Sequence, residues 1–420
     1  MSKNKKLIPE LRFPEFRNED EWEEKELGKL AKKTSERNKS ELVKNVFTNS
    51  AIDGIIDQRD YFDKDIADKN NLENYFIVEE GDYVYNPRIS NIAPVGPISK
   101  NKTNKKGAMS PLYTVFRFYD KKNDFYEHYF KSLHWYNAIR KASNTGARFD
   151  RMSITDSAFM EIPVLFPKPA EQQKIASCLS SLDEVIEAHS QKLELLKDHK
   201  KGLMQNLFPQ EEEKVPKLRF KEFENDGEWV EIKLGKISKR ILSKNKDGKT
   251  TSVFTNSAIN GIVDQRDYFE KDIANKGSLE NYYLVKDGDY VYNPRISIHA
   301  PVGPLSKNRL GKTGVMSPLY TVFRFNEKSN DFYEYYFQTP HWHKAIKSAS
   351  NTGARFDRMS ITASSFMEIS VLQTSIEEQQ KISSCLSALD ELITAQAEKI
   401  EQLKQHKKGL MQSLFPKMND

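Results

Sequence analysis

Cysteine is nearly missing from this chain: there are two in 420 residues, Cys178 and Cys385. Each falls beside a helical core position, where a free thiol acts as a small apolar side chain. Two such sites support neither a disulfide framework nor a zinc site. Long apolar runs are missing as well. No stretch reaches the length of a membrane span, and the N-terminus lacks a secretory h-region, so the expectation is a cytoplasmic chain with no membrane partner. There is no Gly-x-x-x-x-Gly-Lys-Ser/Thr for ATP and no glycine-rich strand-to-helix turn for another cofactor. Asp, Glu and Lys nowhere show the spacing of a nuclease site, and no serine or cysteine nucleophile stands out. His134 and His341 each precede a tryptophan in a helical segment, a context for packing rather than catalysis. The chain is therefore expected to hold no catalytic residue, no metal and no cofactor of its own. One-signed charge is scarce too: 65 Lys+Arg against 60 Asp+Glu leave a net charge of only +5, a weak pointer to nucleic acid. Local crowding says more, with Lys100, Lys102, Lys105 and Lys106 in one segment and Lys239, Arg240, Lys244, Lys246 and Lys249 in another.

What is abundant is self-similarity. Asn144 to Thr155 returns unchanged as Asn351 to Thr362, an offset of 351 − 144 = 207. The two cysteines obey the same offset, as do Leu11-Arg12-Phe13 and Leu218-Arg219-Phe220, and Trp22 and Trp229. Met109 to Phe118 equals Met316 to Phe325, and His199 to Gln205 equals His406 to Gln412. The period is far too long for a solenoid. Two copies of a domain-plus-helix unit imply pseudo-two-fold symmetry in one polypeptide, and a pseudo-two-fold reader implies a pseudo-two-fold target.

The pattern divides the chain into a globular unit 1–168, a helix 169–209, a linker 210–217, a second globular unit 218–374, a helix 375–416 and a tail 417–420. Each globular unit reads as α+β. Tyr83-Val84-Tyr85 lies between Gly81-Asp82 and Asn86-Pro87 and predicts a short strand. Leu112 to Phe118 predicts another, and Asp124 to Ala142 is richer in helix formers. Lys168-Pro169 opens a helix with proline where its missing N–H costs nothing, and Ser375 opens the second with Glu378 three residues on.

The seam of the first helix runs through Ile175, Leu179, Leu182, Ile186, His189, Leu193, Leu196, Lys200, Leu203 and Leu207, in steps of 4 and 3. The second repeats it through Ile382, Leu386, Leu389, Ile393, Gln396, Ile400, Leu403, Lys407, Leu410 and Leu414. Each helix is about 57 Å long at a rise of about 1.5 Å per residue. Such a seam needs a partner: the other copy in the same chain, running antiparallel, or another chain. The polar interruptions leave two readings, a register-fixing role or places where the helices splay or meet a partner subunit.

The positive chemical signal is recognition. The first copy carries Arg59, Arg88, Arg148 and Arg151, with Asn49, Ser50, Asn86, Ser90, Lys102, Asn144 and Thr145 nearby. The second carries Arg266, Arg295, Arg355 and Arg358, with Asn256, Ser257, Asn293, Ser297, Arg309 and Thr352. Arginine reads guanine edges with two hydrogen bonds and asparagine reads adenine, while lysines neutralise phosphates. For any one arginine the alternative is an intramolecular salt bridge. Tyr85-Asn86-Pro87-Arg88 and Tyr292-Asn293-Pro294-Arg295 approach the Asn/Asp-Pro-Pro-aromatic motif of adenine-N6 methyltransferases, but arginine at the third position breaks the match and an Asn-Pro turn is the better reading.

Taken together, the chain resembles the specificity (S) subunits of type I restriction–modification systems. Three features carry this: two tandem units each ending in a long helix, the openings Glu171-Gln172-Gln173-Lys174-Ile175 and Glu378-Gln379-Gln380-Lys381-Ile382, and the endings Lys201 to Pro209 and Lys408 to Pro416. The resemblance covers essentially the whole chain. It implies two target-recognition domains separated by paired antiparallel helices, each reading half of a bipartite site on double-stranded DNA. It also implies docking of two methyltransferase (M) subunits that use S-adenosylmethionine to methylate adenine, and restriction (R) subunits that use ATP and Mg. The S subunit itself would not be an enzyme. Recognition domains in this family typically differ, whereas here they are nearly the same, so the expected target is an interrupted palindrome. The copies differ at Asp53/Asn260, Asn91-Ile92/Ile298-His299 and Lys102-Thr103/Arg309-Leu310, and a base contact there would make the halves diverge. Rival readings are the recognition subunit of a related non-type-I system, a coiled-coil scaffold with protein-binding ends, and a methyltransferase or nuclease acting alone, which lacks its cofactor motif.

Overall fold

In a computed structural model, the structure describes residues 6–39, 42–61, 72–143, 150–268, 276–327, 331–350 and 357–416. Period-2 patterning builds the centre of the first copy. An antiparallel sheet runs in the order Ala31–Lys33, Thr114–Phe118, Tyr83–Tyr85, Ile98–Lys100. Successive side chains of a strand face opposite ways. Tyr83, Tyr85, Phe116 and Phe118 therefore enter one core, with the helices Asp124–Phe130, Tyr136–Ala142 and Asp156–Met160. Val84 and Val115 enter another, with Phe47, Ile55, Phe76, Val78 and Met109. That second core lies on a sheet ordered Gly54–Asp57, Val46–Ser50, Gly107–Met109, Phe76–Val78, in which Val46–Ser50 and Gly107–Met109 run parallel. The segment Asp124 to Ala142 is thus two helices with a break at 131–135, where the Trp135 indole donates to the Phe130 carbonyl at 3.0 Å.

The second copy repeats this plan. Its central sheet is Ser238–Arg240, Thr321–Phe325, Tyr290–Tyr292, Leu305–Lys307. Its other described strands form three pairs: Val230–Lys233 with Ser370–Gln373, Phe254–Ser257 with Gly261–Asp264, and Tyr283–Val285 with Gly314–Met316, the last two joined by a parallel bridge from Val253 to Val315.

The chain forms two compact units, one of residues 1–190 with 398–420 and one of residues 191–397. The long helices are Pro169–Leu207 and Ile376–Leu414, and each is shared between the units. In the first unit Ile175 and Leu179 join the aromatic core together with Leu414 and Phe415 from the end of the second long helix. Lys407 of that helix donates to Asp183 of the first. The two stretches therefore run antiparallel, the start of one beside the end of the other. In the second unit Ile382 and Leu386 share a core with Leu207 and Phe208, and Lys200 donates to Asp390 at 2.6 Å.

Along the helices the seam positions are the covered ones. Ile175, Leu179, Ile382, Leu386, Leu389 and Ile400 are buried; Leu182, Ile186, Leu193, Leu196, Ile393 and Leu403 are partly buried. The lysines that interrupt the seam each meet an aspartate of the opposing helix. Among the described residues no helix is long and apolar enough to cross a membrane.

The openings of the helices are fastened to the entrances of their domains. Glu171 is 1% exposed, and the Arg12 Nε and Nη2 donate to its two oxygens at 2.8 Å each. Arg12 also donates to the carbonyls of Glu19 and Asp20. Its pKa is raised, first by the hydrogen bond to Glu171. Arg219 and Glu378 repeat the clamp at 2.8 and 2.8 Å. The Glu378 N–H donates to the Ser375 hydroxyl at 3.3 Å, as a serine cap predicts, but its carboxylate serves Arg219.

Candidate nucleic-acid interface

The Asn-Pro-Arg turn leaves the central strand Tyr83–Tyr85 and is built from its own side chains. Asn86 Nδ2 donates to the Asn49 carbonyl at 3.0 Å, and Asn86 Oδ1 accepts from the Arg88 N–H at 3.0 Å. Asn49 in turn donates to the carbonyls of Val84 and Pro97 at 2.8 and 3.3 Å. Gly96 makes the close approach possible: its φ is +82°, and an added Cβ would lie 2.0 Å from the Asn86 oxygen. Gly303 repeats this over Asn293 with φ +87° and 2.1 Å. Asn256 and Asn293 repeat the amide contacts, Asn256 to Val291 and Pro304, Asn293 to the Asn256 carbonyl. The four asparagines therefore hold the turn, one of the ordinary uses of asparagine beside a tight bend.

What the turn presents is a pair of arginines. Arg88 and Arg151 face each other across an isolated antiparallel bridge, flanked by Ile89 N–H to Asp150 O at 3.0 Å and Met152 N–H to Pro87 O at 2.8 Å. Arg295 and Arg358 form the same bridge, with 3.0 and 2.8 Å bonds at Ile296 and Met359. The Arg88 and Arg295 side chains make no ion pair among the described residues. Arg151 lies 3.6 Å from Asp150, and its Nε is buried with no hydrogen-bond partner among the described residues; Arg358 lies 3.8 Å from Asp357 with the same orphaned Nε. A buried donor without an acceptor is unusual. Thr145, Arg148, Thr352 and Arg355, with Asn144, lie outside the described residues.

The remaining candidates are occupied within the chain. Arg59 forks onto Asp57 at 3.1 and 3.2 Å, and Arg266 lies 3.7 Å from Asp264. Lys102 pairs with Glu127 at 3.2 Å, and Arg309 with Glu334 and Asp331. Ser50 and Ser257 accept backbone N–H groups in their hairpin turns, Ser50 from Ile52 and Asp53, Ser257 from Ile259 and Asn260. Ser90 accepts from Ala93 at 3.1 Å and Ser297 from Ala300 at 3.2 Å, closing the two-residue tips 91–92 and 298–299 beside the arginine pairs. A groove of about 530 Å³ runs alongside, lined by Ile52, Asp53, Ile92, Lys100 and Lys102. Residue type alone does not mark the exposed isoleucines on its rim, Ile52 and Ile92, because apolar side chains carry no polar signature.

Loops that present arginines from a repeated scaffold suit contacts to nucleic acid. Residues 19–198 match the family of the type I restriction modification DNA specificity domain. Over 276 residues the chain is 27% identical to a protein of Methanocaldococcus jannaschii provisionally named a type I restriction enzyme MjaX specificity subunit, a match covering 63% of this chain and 61% of that protein. The chain thus spans about three-fifths of the curated relative it matches. In fold it is similar to the S subunit of a type I restriction–modification system from M. genitalium, with a TM-score of 0.54 and 15% identity over 98% of this chain and 100% of that one. It is also similar to a chain from a structure of a type I R-M system that addresses complex assembly and conformational transition, with a TM-score of 0.51 and 15% identity over 94% and 97%. The family match is thus to a DNA specificity domain over residues 19–198, and the curated relative that the chain resembles is a specificity subunit.

Proposed function

We propose that this chain selects the DNA sequence for a type I methyltransferase and does no chemistry itself. Its two globular domains read the two halves of a bipartite site. The single observation that supports this best is the arginine pair: Arg88 with Arg151, and Arg295 with Arg358, in the same bridge geometry in both copies. Each pair offers one guanidinium outside any ion pair among the described residues, a donor group that a guanine edge or a phosphate accepts from. Near-identical readers call for near-identical half-sites, so the target is an interrupted palindrome or close to one. Two M subunits would supply S-adenosylmethionine and methylate adenine, and R subunits would supply ATP- and Mg-dependent translocation and cleavage.

Co-expression with the cognate methyltransferase subunit, followed by mapping of modified adenines, tests this reading. It expects methylation on both strands of a bipartite site. An assembled complex that adds no sequence-selective methylation would overturn it.

A further inference from the structure

The copies differ at several loop positions, and the structure separates three of them: Asp53/Asn260, the tips 91–92/298–299 and Lys102-Thr103/Arg309-Leu310. Lys102 and Arg309 are both cations and both held by the carboxylate one helix away, Glu127 or Glu334. Thr103 bonds back to Asn101 within its own loop. Asp53 accepts from Ser50 at 3.1 Å inside its hairpin turn. The tips 91–92 and 298–299 differ from these. Among the described residues, neither Asn91 nor His299 makes a side-chain hydrogen bond or ion pair. From Gly81 to Pro97 the copies are identical except at these two adjacent positions.

The tips are exposed and firmly based. Ile92 is 63% exposed and Ile298 is 97% exposed, so neither gains much from burial in this chain. The stem below is closed by Ser90 N–H to Ala93 O at 3.0 Å, and in the second copy by reciprocal Ser297–Ala300 bonds of 3.0 and 3.1 Å. Single exposed isoleucines are common on surfaces. Here, however, each tip holds one isoleucine and one side chain able to hydrogen-bond, in opposite order: Asn91-Ile92 against Ile298-His299. The stem starts two residues beyond the arginine that faces its partner across the bridge. In the major groove a thymine methyl is the apolar mark and adenine the partner of asparagine.

We propose that these tips read base edges and are where the two half-sites differ. This rests on the DNA-recognition reading above. Moving isoleucine by one position along a rigid tip moves its methyl contact to the neighbouring base pair. The target is then an interrupted palindrome broken at one or two adjacent base pairs, at the same place in each half.

The test uses the full chain co-expressed with the methyltransferase subunit. The double variant Asn91→Ile/Ile92→His gives the first copy the second copy's tip. It should shift methylation to a perfect interrupted palindrome of the second half-site, changing preference at the broken position by about ten- to a hundredfold. The reverse variant Ile298→Asn/His299→Ile should give the palindrome of the first half-site. A wild-type site that is already a strict palindrome overturns the proposal, as do variants that keep the wild-type site. Assembled complexes of both variants that methylate nowhere also overturn it, since each tip already works in one copy. If the wild-type complex itself methylates no sequence, the recognition reading fails rather than the tip assignment.

Discussion

The Arg12 guanidinium and the Glu171 carboxylate, 159 residues apart, meet as a buried two-point clamp with both contacts at 2.8 Å. The clamp ties the first residues of the domain to the first turn of its long helix. Arg219 and Glu378 do the same in the second copy. Removing one partner strands the other charge in a site where neither is more than a few per cent exposed. Arg12→Ala should therefore destabilise the first unit by about 3–5 kcal/mol. Chemical unfolding should show an early transition for that variant, and Arg12→Lys should recover only part of the loss because lysine cannot fork.

His128 makes stability depend on pH. It is buried, its Nε2 lies 3.1 Å from the Ser180 hydroxyl, and among the described residues its Nδ1 has no partner. Burial lowers its pKa from the ordinary 6.5 to about 4. Below pH 6.5 the unfolded chain binds a proton that the folded chain refuses until about pH 4. Stability is thus lost as pH falls through this window, by up to about 3 kcal/mol, and the cost vanishes above it. The second copy places Tyr335 there, donating to Asp390 at 2.9 Å. His128→Tyr should flatten the dependence between pH 6.5 and 4, measured as the denaturant midpoint against pH.

Arg88 and Lys102 should behave differently on DNA. Arg88→Ala removes a guanidinium outside any described ion pair and should relax one position of the first half-site by about 1–3 kcal/mol. Lys102→Ala frees Glu127 and should leave site preference unchanged. Methylation mapping of both variants distinguishes the two, and unchanged preference for Arg88→Ala would remove it from the readers.

A fragment ending near Gln210 contains one domain and one complete long helix. In the intact chain its domain is completed by residues 398–420, and residues 191–210 are the repeat equivalent of that segment up to Lys417. Two fragments should exchange helix ends, dimerise and support methylation when co-expressed with the methyltransferase subunit. Light scattering and methylation mapping check this; a monomeric, inactive fragment contradicts it.

The repeat, the strands around Tyr83 to Tyr85 and the seam were legible because each is a periodic pattern in consecutive residues. Leu179 and Leu386 occupy buried positions that steps of 3 and 4 alone predict. The Glu-Gln openings were visible as motifs, yet the partner of Glu171 was not, since nothing local links it to Arg12. Residue type also could not tell a reading asparagine from one that holds a turn. Asn49 and Asn86 point into the backbone because Gly96 brings the next strand within reach, a three-dimensional fact. The same holds for Lys102 and Arg309, whose acidic partners lie 25 residues ahead on a helix. Arg88 and Arg151 were candidates by type alone, and only the fold shows them side by side.

On the proposed function, this chain chooses the sequence at which a partner methylates DNA. The most direct measurement compares modified adenines in cells holding the methyltransferase subunit alone with cells holding it together with this chain. New methylation, on both strands of a two-part site, is expected only when the chain is present. An assembled complex with no new methylation, or modification by this chain without its partner, would contradict it.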